Sequence, residues 1–168
     1  MIKSCIIKKI NINKNAKLLA CFDLDGTIIK TKSGKTFPEN ENDWEFCKNV
    51  IEKLKMISKT HQVVIFTNQY GLSLGIVKLG NFAFKLEKIS KQLNISLLWM
   101  ISTKKDNYRK PNIGMWEMVK KILPNAKKEL SFYVGDAAGR ENDFSDSDKE
   151  FANNIGILFY LPEFFFLS

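Results

Sequence analysis

Residues 18–34 read "LLACFDLDGTIIKTKSG". Leu18 to Phe22 are five apolar residues in a row, after which Asp23 and Asp25 alternate around Leu24 and a Gly26-Thr27 pair opens a lysine-bearing loop. A short apolar run bounded by turn-forming residues has the pattern of a strand buried on both faces. Asp is a poor strand residue, and two carboxylates held this close repel each other. Their position, immediately beyond a buried strand, makes sense if both face a shared positive partner.

The rest of the chain repeats the pattern. Apolar runs recur at Val63 to Phe66, Leu97 to Ile101, Phe132 to Val134 and Ile157 to Tyr160. Helical spacings lie between them. Asp43 is placed to cap a helix bearing Cys47, Val50, Ile51, Leu54 and Ile57 on one face. Phe82, Leu86, Ile89 and Leu93 form a second stripe, and Trp116, Val119 and Leu123 a third, which Pro124 closes. Alternating strands and helices predict an α/β fold with a parallel sheet flanked by helices. Cys5 to Lys9 is expected as an edge strand, since lysines suit an exposed edge. No repeat or linker-like stretch divides the sequence, so residues 1–168 are expected to form one domain.

In open parallel sheets ligands bind beyond the carboxyl ends of the strands. Asp23 and Asp25 follow the first run, Thr67-Asn68 the second and Gly135-Asp136 the fourth, so three strands deliver chemically capable residues to one edge. Carboxylates from Asp23, Asp25 and Asp136 can share one hard divalent cation, and oxygen ligands completed by water suit Mg²⁺. Lys110, in Arg109-Lys110-Pro111, is placed to neutralise a bound phosphate while Thr67 and backbone N–H groups bond its oxygens.

Composition sets outer bounds. Lys and Arg outnumber Asp and Glu by 26 to 18, a net charge of +8, which favours polyanionic partners without specifying one. Three cysteines without paired spacing point to a reducing compartment rather than a disulfide or zinc framework. With no apolar stretch long enough for a signal peptide or membrane span, an intracellular protein is expected, nuclear or cytoplasmic.

The motifs Asp23-Leu24-Asp25-Gly26-Thr27, Thr67, Lys110 and Gly135-Asp136, in that order, resemble those of the haloacid dehalogenase-like phosphohydrolases. The resemblance implies a Rossmann-like domain and a Mg²⁺-dependent aspartyl-phosphate intermediate. Within it Asp23 is the nucleophile, Asp25 the general acid/base, Thr67 a phosphate ligand, Lys110 a charge stabiliser and Asp136 a metal ligand. Only about 40 residues separate Asp25 from Thr67, so no substantial cap domain is expected and the site should be open.

A narrower resemblance runs from about Lys17 to Leu167. "VVIFTNQYG", "YRKPNIGMW", "FYVGDAAGRENDFSDSDKEFANNIGI" and "LPEFFF" are similar to the phosphatase domain of the polynucleotide kinase 3'-phosphatase family. This implies removal of 3'-phosphates from DNA ends in strand-break repair, with DNA 3' ends as partners. No G-x-x-x-x-G-K-[ST] occurs, so no 5'-kinase activity is expected of this sequence, and a monomer is expected. Thr27, Asn68, Lys35 and Arg109 are further candidates for holding substrate, with Lys30, Lys32, Lys104 and Lys105 as additional cations, and Arg140 is placed to reach either substrate or Asp143. Asp143 is the candidate for an indirect, water-mediated metal contact, while Asp146 and Asp148 read as capping or solvating a helix start. His61 reads as a loop residue and Phe164-Phe165-Phe166 as a closing core segment.

One departure concerns substrate. Where the family commonly has Gly-x-x-Arg-Gly-Lys, this chain has Gly71-Leu72-Ser73-Leu74-Gly75-Ile76, so Leu74 and Ile76 stand in place of two cations. Two other functions fit the same residues: a small-molecule phosphatase, for example on sugar phosphates, and an inactive DNA-end-binding module. The intact Asp23, Asp25, Thr67, Lys110 and Asp136 set argues against the second.

Overall fold

A computed structural model describes residues 1–167. Its main sheet has six strands in the order β1-β6-β5-β2-β7-β8. These are β1 (Cys5–Ile10), β2 (Leu19–Phe22), β5 (Gln62–Asn68), β6 (Leu97–Ser102), β7 (Phe132–Val134) and β8 (Leu158–Tyr160). All pair in parallel except β1, which runs antiparallel to β6 along one edge. The helices are α1 (Val50–Ile57), α2 (Leu79–Leu93), α3 (Gly114–Ile122), α4 (Ser147–Ile155) and the single turn α5 (Pro162–Phe165).

Side-chain alternation along each strand feeds two cores, one on either face of the sheet. Ala20, Phe22, Val63, Ile65, Leu97 and Trp99 pack with Val50 and Leu54 of α1 and with Phe82, Leu86, Ile89 and Leu93 of α2. Leu19, Cys21, Val64, Phe66, Leu98 and Met100 pack with Met115, Trp116 and Val119 of α3 and with Phe151, Ala152 and Ile155 of α4. Each fully buried Val, Leu, Ile, Phe or Met side chain among these contributes roughly 1.5–3 kcal/mol over exposure. Continuous apolar runs were therefore the right signature: both faces of the central strands are covered.

Two local expectations are corrected. Asp43 does not cap α1. Its carboxylate accepts bonds from Ser33 N (2.8 Å), Ser33 Oγ (2.6 Å) and Glu39 N (2.9 Å), which tie down the 31–43 loop. Those three donors are better partners than a helix end, and they hold the carboxyl at about 2. The helix instead starts at Val50, after a left-handed Asn49, because Glu45–Phe46 (β4) pairs with Ile29–Lys30 (β3) as a small hairpin. Of the terminal phenylalanines, Phe165 and Phe166 pack against Phe22 at 5.6 and 6.0 Å, whereas Phe164 is exposed. His61 lies where β5 begins, its ring 5.6 Å from that of Phe132, and the expected site residues follow the other end of that strand.

Candidate active site

The parallel strands end together, and the residues just past them meet. Lys110, carried on the loop after β6, is 3 % exposed, and its Nζ donates to Asp23 Oδ1 (2.8 Å) and Asp148 Oδ1 (2.8 Å). It also lies 2.9 Å from Tyr133 OH, whose hydroxyl donates to Asp148 Oδ1 at 2.7 Å. Burial alone would lower the Lys110 pKa, but Asp148 and Asp23 more than offset it and raise it above the usual lysine value. Burial pushes Asp23 well above the usual carboxylate range, and Asp148 adds to the shift; Asp136 is raised for the same two reasons in the same order.

Oxygens of Asp23, Asp136 and Asp148 all lie within 4.8 Å of one another. Three hard carboxylate donors around one point fit Mg²⁺. Asp25 stands outside this group: it is exposed, and its Oδ2 accepts from Gln69 Nε2 at 2.8 Å. Asp148 is expected from the sequence to cap or solvate a helix start. It does lie in the first turn of α4, but it is 1 % exposed and accepts bonds from Lys110, Tyr133 and the Ala137 N–H. The solvated role is therefore corrected. Asp146, at the N-cap position, is exposed and makes no side-chain capping bond.

Two glycines make the close approach of these carboxylates possible. Gly26 has φ +81°, and a Cβ there would lie 2.2 Å from Asp136 Oδ2. A Cβ on Gly135 would lie 2.4 Å from Asp148 Cγ. No other residue leaves that space.

The remaining candidates divide into site residues and peripheral ones. Thr27 Oγ1 lies 3.3 Å from Asp23 Oδ2 and 3.4 Å from Asp136 Oδ1, and it accepts the Asp136 N–H at 3.2 Å, so it braces the carboxylates. Asn68 clamps the Lys110 backbone from both sides, accepting its N–H at 3.0 Å and donating to its carbonyl at 3.1 Å. Thr67 is 1 % exposed at the end of β5, and its hydroxyl accepts from Gln69 Nε2 at 2.8 Å. The Arg109 guanidinium lies 6.0 Å from the Tyr70 ring, and its buried Nη1 finds no partner among the described residues. Lys35 is exposed and paired with Glu39. Arg140 pairs with Asp143 and Glu163, and its Nη2 donates to the Asp136 carbonyl. Asp143 accepts from the Ala138 and Arg140 N–H groups, so it shapes the loop carrying Asp136 and lies outside the carboxylate triad.

A parallel sheet with helices on both faces, carrying an acidic, lysine-braced cluster at its carboxyl edge, is an architecture this chain shares with solved phosphatases. The solved structures agree on the fold: a HAD-like phosphatase from Mesorhizobium loti aligns with TM-score 0.73 over 92 % of this chain and 77 % of its own, at 18 % identity. D,D-heptose 1,7-bisphosphate phosphatase from B. bronchiseptica, complexed with magnesium and phosphate, aligns with TM-score 0.70 over 85 % of this chain and 79 % of its own, at 18 % identity.

The chain belongs to the polynucleotide kinase 3 phosphatase family, whose model matches residues 18–166. It is 43 % identical over 155 residues to an uncharacterised 20.8 kDa protein of Autographa californica nuclear polyhedrosis virus, covering 88 % of this chain and 84 % of that protein. It is 41 % identical over 169 residues to the bifunctional polynucleotide phosphatase/kinase of Schizosaccharomyces pombe. That match takes in 98 % of this chain but only 41 % of the yeast protein. The polynucleotide 3'-phosphatase of Saccharomyces cerevisiae is 31 % identical over 201 residues, covering 84 % of each chain. Among the described residues no helix is long and apolar enough to cross a membrane.

Proposed function

We propose that this protein is a Mg²⁺-dependent polynucleotide 3'-phosphatase, a single phosphatase domain that clears 3'-phosphates from DNA ends to leave hydroxyls for strand-break repair. The observation that carries the reading is the family match over residues 18–166, on a chain whose Asp23 is ion-paired to a buried Lys110 at the sheet edge. Asp23 attacks phosphorus, the P–O3' bond breaks, and Asp25 protonates the departing 3'-oxygen. Water then attacks the aspartyl phosphate and gives a proton to Asp25, and the P–O bond to Asp23 breaks to release phosphate. Lys110 and the Thr67 hydroxyl bind the phosphoryl oxygens. Asp23 and Asp136, with Asp148 beside them, would hold the cation. When bound, Mg²⁺ supplies the positive charge that lets a carboxylate approach a phosphate dianion.

The absence of a bulky cap supports a polymeric substrate: residues 26–61 contain only the β3–β4 hairpin, its loop and α1. The test is matched oligonucleotides bearing either a 3'- or a 5'-phosphate, alongside a sugar phosphate, each incubated with Mg²⁺. Release of the 3'-phosphate alone is expected. Equal release from all three would leave a general phosphatase.

A further inference from the structure

The turn after β5 carries a residue that the motif reading passes over. Gln69 is anchored through its backbone, its N–H donating to the Ser102 carbonyl at 2.7 Å. Its side-chain nitrogen then spans two acceptors, Asp25 Oδ2 at 2.8 Å and Thr67 Oγ1 at 2.8 Å. A primary amide has two N–H bonds splayed about 120° apart, so one nitrogen can serve both. The amide presents its nitrogen to both oxygens; turned over, its carbonyl oxygen would face the ionised Asp25 carboxylate, and both are acceptors.

Each bond has a chemical consequence. Asp25 is exposed, and without a partner its carboxylate would sample several rotamers in water. With Oδ2 accepting an N–H from Gln69, Oδ1 is the oxygen left free to exchange a proton with the leaving group. Thr67 Oγ1 has one hydrogen to give. With Gln69 filling its acceptor side, that hydrogen is left to donate to a phosphoryl oxygen.

We infer that Gln69 is a positioning residue for proton delivery: it aims Oδ1 of Asp25 at the leaving oxygen and at the same time orients the Thr67 hydroxyl toward the phosphate. This rests on the phosphatase chemistry proposed above, but not on the identity of the leaving group. Asn68 and Gln69 then divide the work between them, Asn68 locking the backbone of Lys110 and Gln69 locking the side chain of Asp25. In the first step the P–O bond to the leaving group breaks, both of its electrons go to that oxygen, and the proton on Asp25 Oδ1 neutralises it. In the second step the attacking water returns a proton to the same oxygen.

The test exploits leaving-group chemistry. p-Nitrophenolate departs without a proton, whereas an alkoxide needs one. We would compare kcat/KM of the wild type, Gln69→Leu and Gln69→Asn on p-nitrophenyl phosphate, glycerol 2-phosphate and a 3'-phosphorylated oligonucleotide. kcat/KM reports the steps up to leaving-group departure, so slow hydrolysis of the aspartyl phosphate does not mask the effect. General-acid help is typically worth ~10²–10⁴-fold. Misplacing the acid should therefore cost about 10²-fold on the two alkyl phosphates, against roughly threefold on p-nitrophenyl phosphate from the Thr67 arm. If Gln69→Leu fails to fold, Gln69→Asn, one methylene too short to span both acceptors, carries the measurement. Equal losses on aryl and alkyl phosphates, or no loss on either, overturn the inference. If the wild type leaves the oligonucleotide intact but cleaves glycerol 2-phosphate, the DNA reading fails and the Gln69 comparison still stands.

Discussion

Asp148→Ala is the substitution that probes the site's internal architecture most directly. It removes the acceptor of three bonds at once: from Lys110 Nζ (2.8 Å), Tyr133 OH (2.7 Å) and the Ala137 N–H (3.0 Å). Breaking a buried ion pair by deleting one partner typically costs about 3–5 kcal/mol, because a charge stays buried. Here Lys110 keeps Asp23 at 2.8 Å, and losing Asp148 relieves repulsion on Asp23, so the lower end applies. The expected destabilisation is about 3 kcal/mol. At roughly 2–4 °C per kcal/mol for a chain of this size, Tm should fall by about 10 °C. Urea unfolding in EDTA, with the m-value checked against wild type, measures the effect without metal linkage. Asp146→Ala is the control: that residue is exposed and uncapping, so a change within about 0.5 kcal/mol is expected. A loss below 1 kcal/mol for Asp148→Ala, or a larger one for Asp146→Ala, would refute the argument that Asp148 anchors the buried cation.

Asp23→Asn should abolish turnover while the chain stays folded; near-wild-type hydrolysis by this variant would rule out an aspartyl-phosphate route. EDTA should stop activity, Mg²⁺ should restore it and Ca²⁺ should restore it poorly, since Ca²⁺ prefers longer bonds and higher coordination. Mg²⁺ should also raise Tm, and Asp136→Ala should lose that rise, as read by thermal denaturation with and without metal. Asp43 has its pKa lowered to about 2, so the stability it contributes is complete above the ordinary carboxylate value and is lost as pH falls through the folded one. The Tm gap between wild type and Asp43→Ala should therefore be flat above pH 5 and narrow toward pH 2; a gap that widened on acidification would contradict the sign. Leu74 and Ile76 are 55 % and 76 % exposed, so Leu74→Arg with Ile76→Lys should be tolerated and should restore two phosphate contacts. The log–log salt dependence of oligonucleotide binding should then steepen by about 1.4, at ~0.7 per single-strand contact. An unchanged slope would place that loop away from the strand.

The sheet was legible because burial on both faces leaves a local trace. Phe132 to Val134 is a strand to the residue, and the Phe82, Leu86, Ile89, Leu93 stripe is the buried face of α2. The β3–β4 hairpin was not legible, because strands of two residues each have no periodicity to detect. Asp43 misled for a related reason. A capping residue type states what a carboxylate can do locally, and here three loop donors, two of them ten residues upstream at Ser33, outcompete the helix end.

The same limit governs the site. Asp23 and Asp136 were readable because each lies just past the end of a strand at the common edge, and Lys110 because it stands in the Arg109-Lys110-Pro111 motif. Asp148 lies 12 residues beyond Asp136 in a polar stretch, where an Asp normally meets water. What buries it is Gly135, whose missing side chain admits the carboxylate, and Tyr133, which reads as core in an apolar run until its hydroxyl is found on Asp148.

Charge counting links that missed residue to the chemistry. Three carboxylates meet within 4.8 Å and a single buried lysine answers two of them, so two negative charges are left over when all three are ionised. The raised Asp23 and Asp136 pKa values are the protein's own response to that surplus, once burial has disfavoured charge. Arg140, whose Nη2 reaches the Asp136 carbonyl, does not relieve it, because it is tied to Asp143 and Glu163. A phosphate dianion approaching these residues alone meets net repulsion, and Lys110 has no spare charge to offer. A divalent ion held by these three carboxylates would cancel the surplus of two and would free Lys110, now bonded to Asp23 and Asp148, to turn toward phosphate. Phosphate affinity should therefore depend on the cation in the binding step as well as in the chemical one.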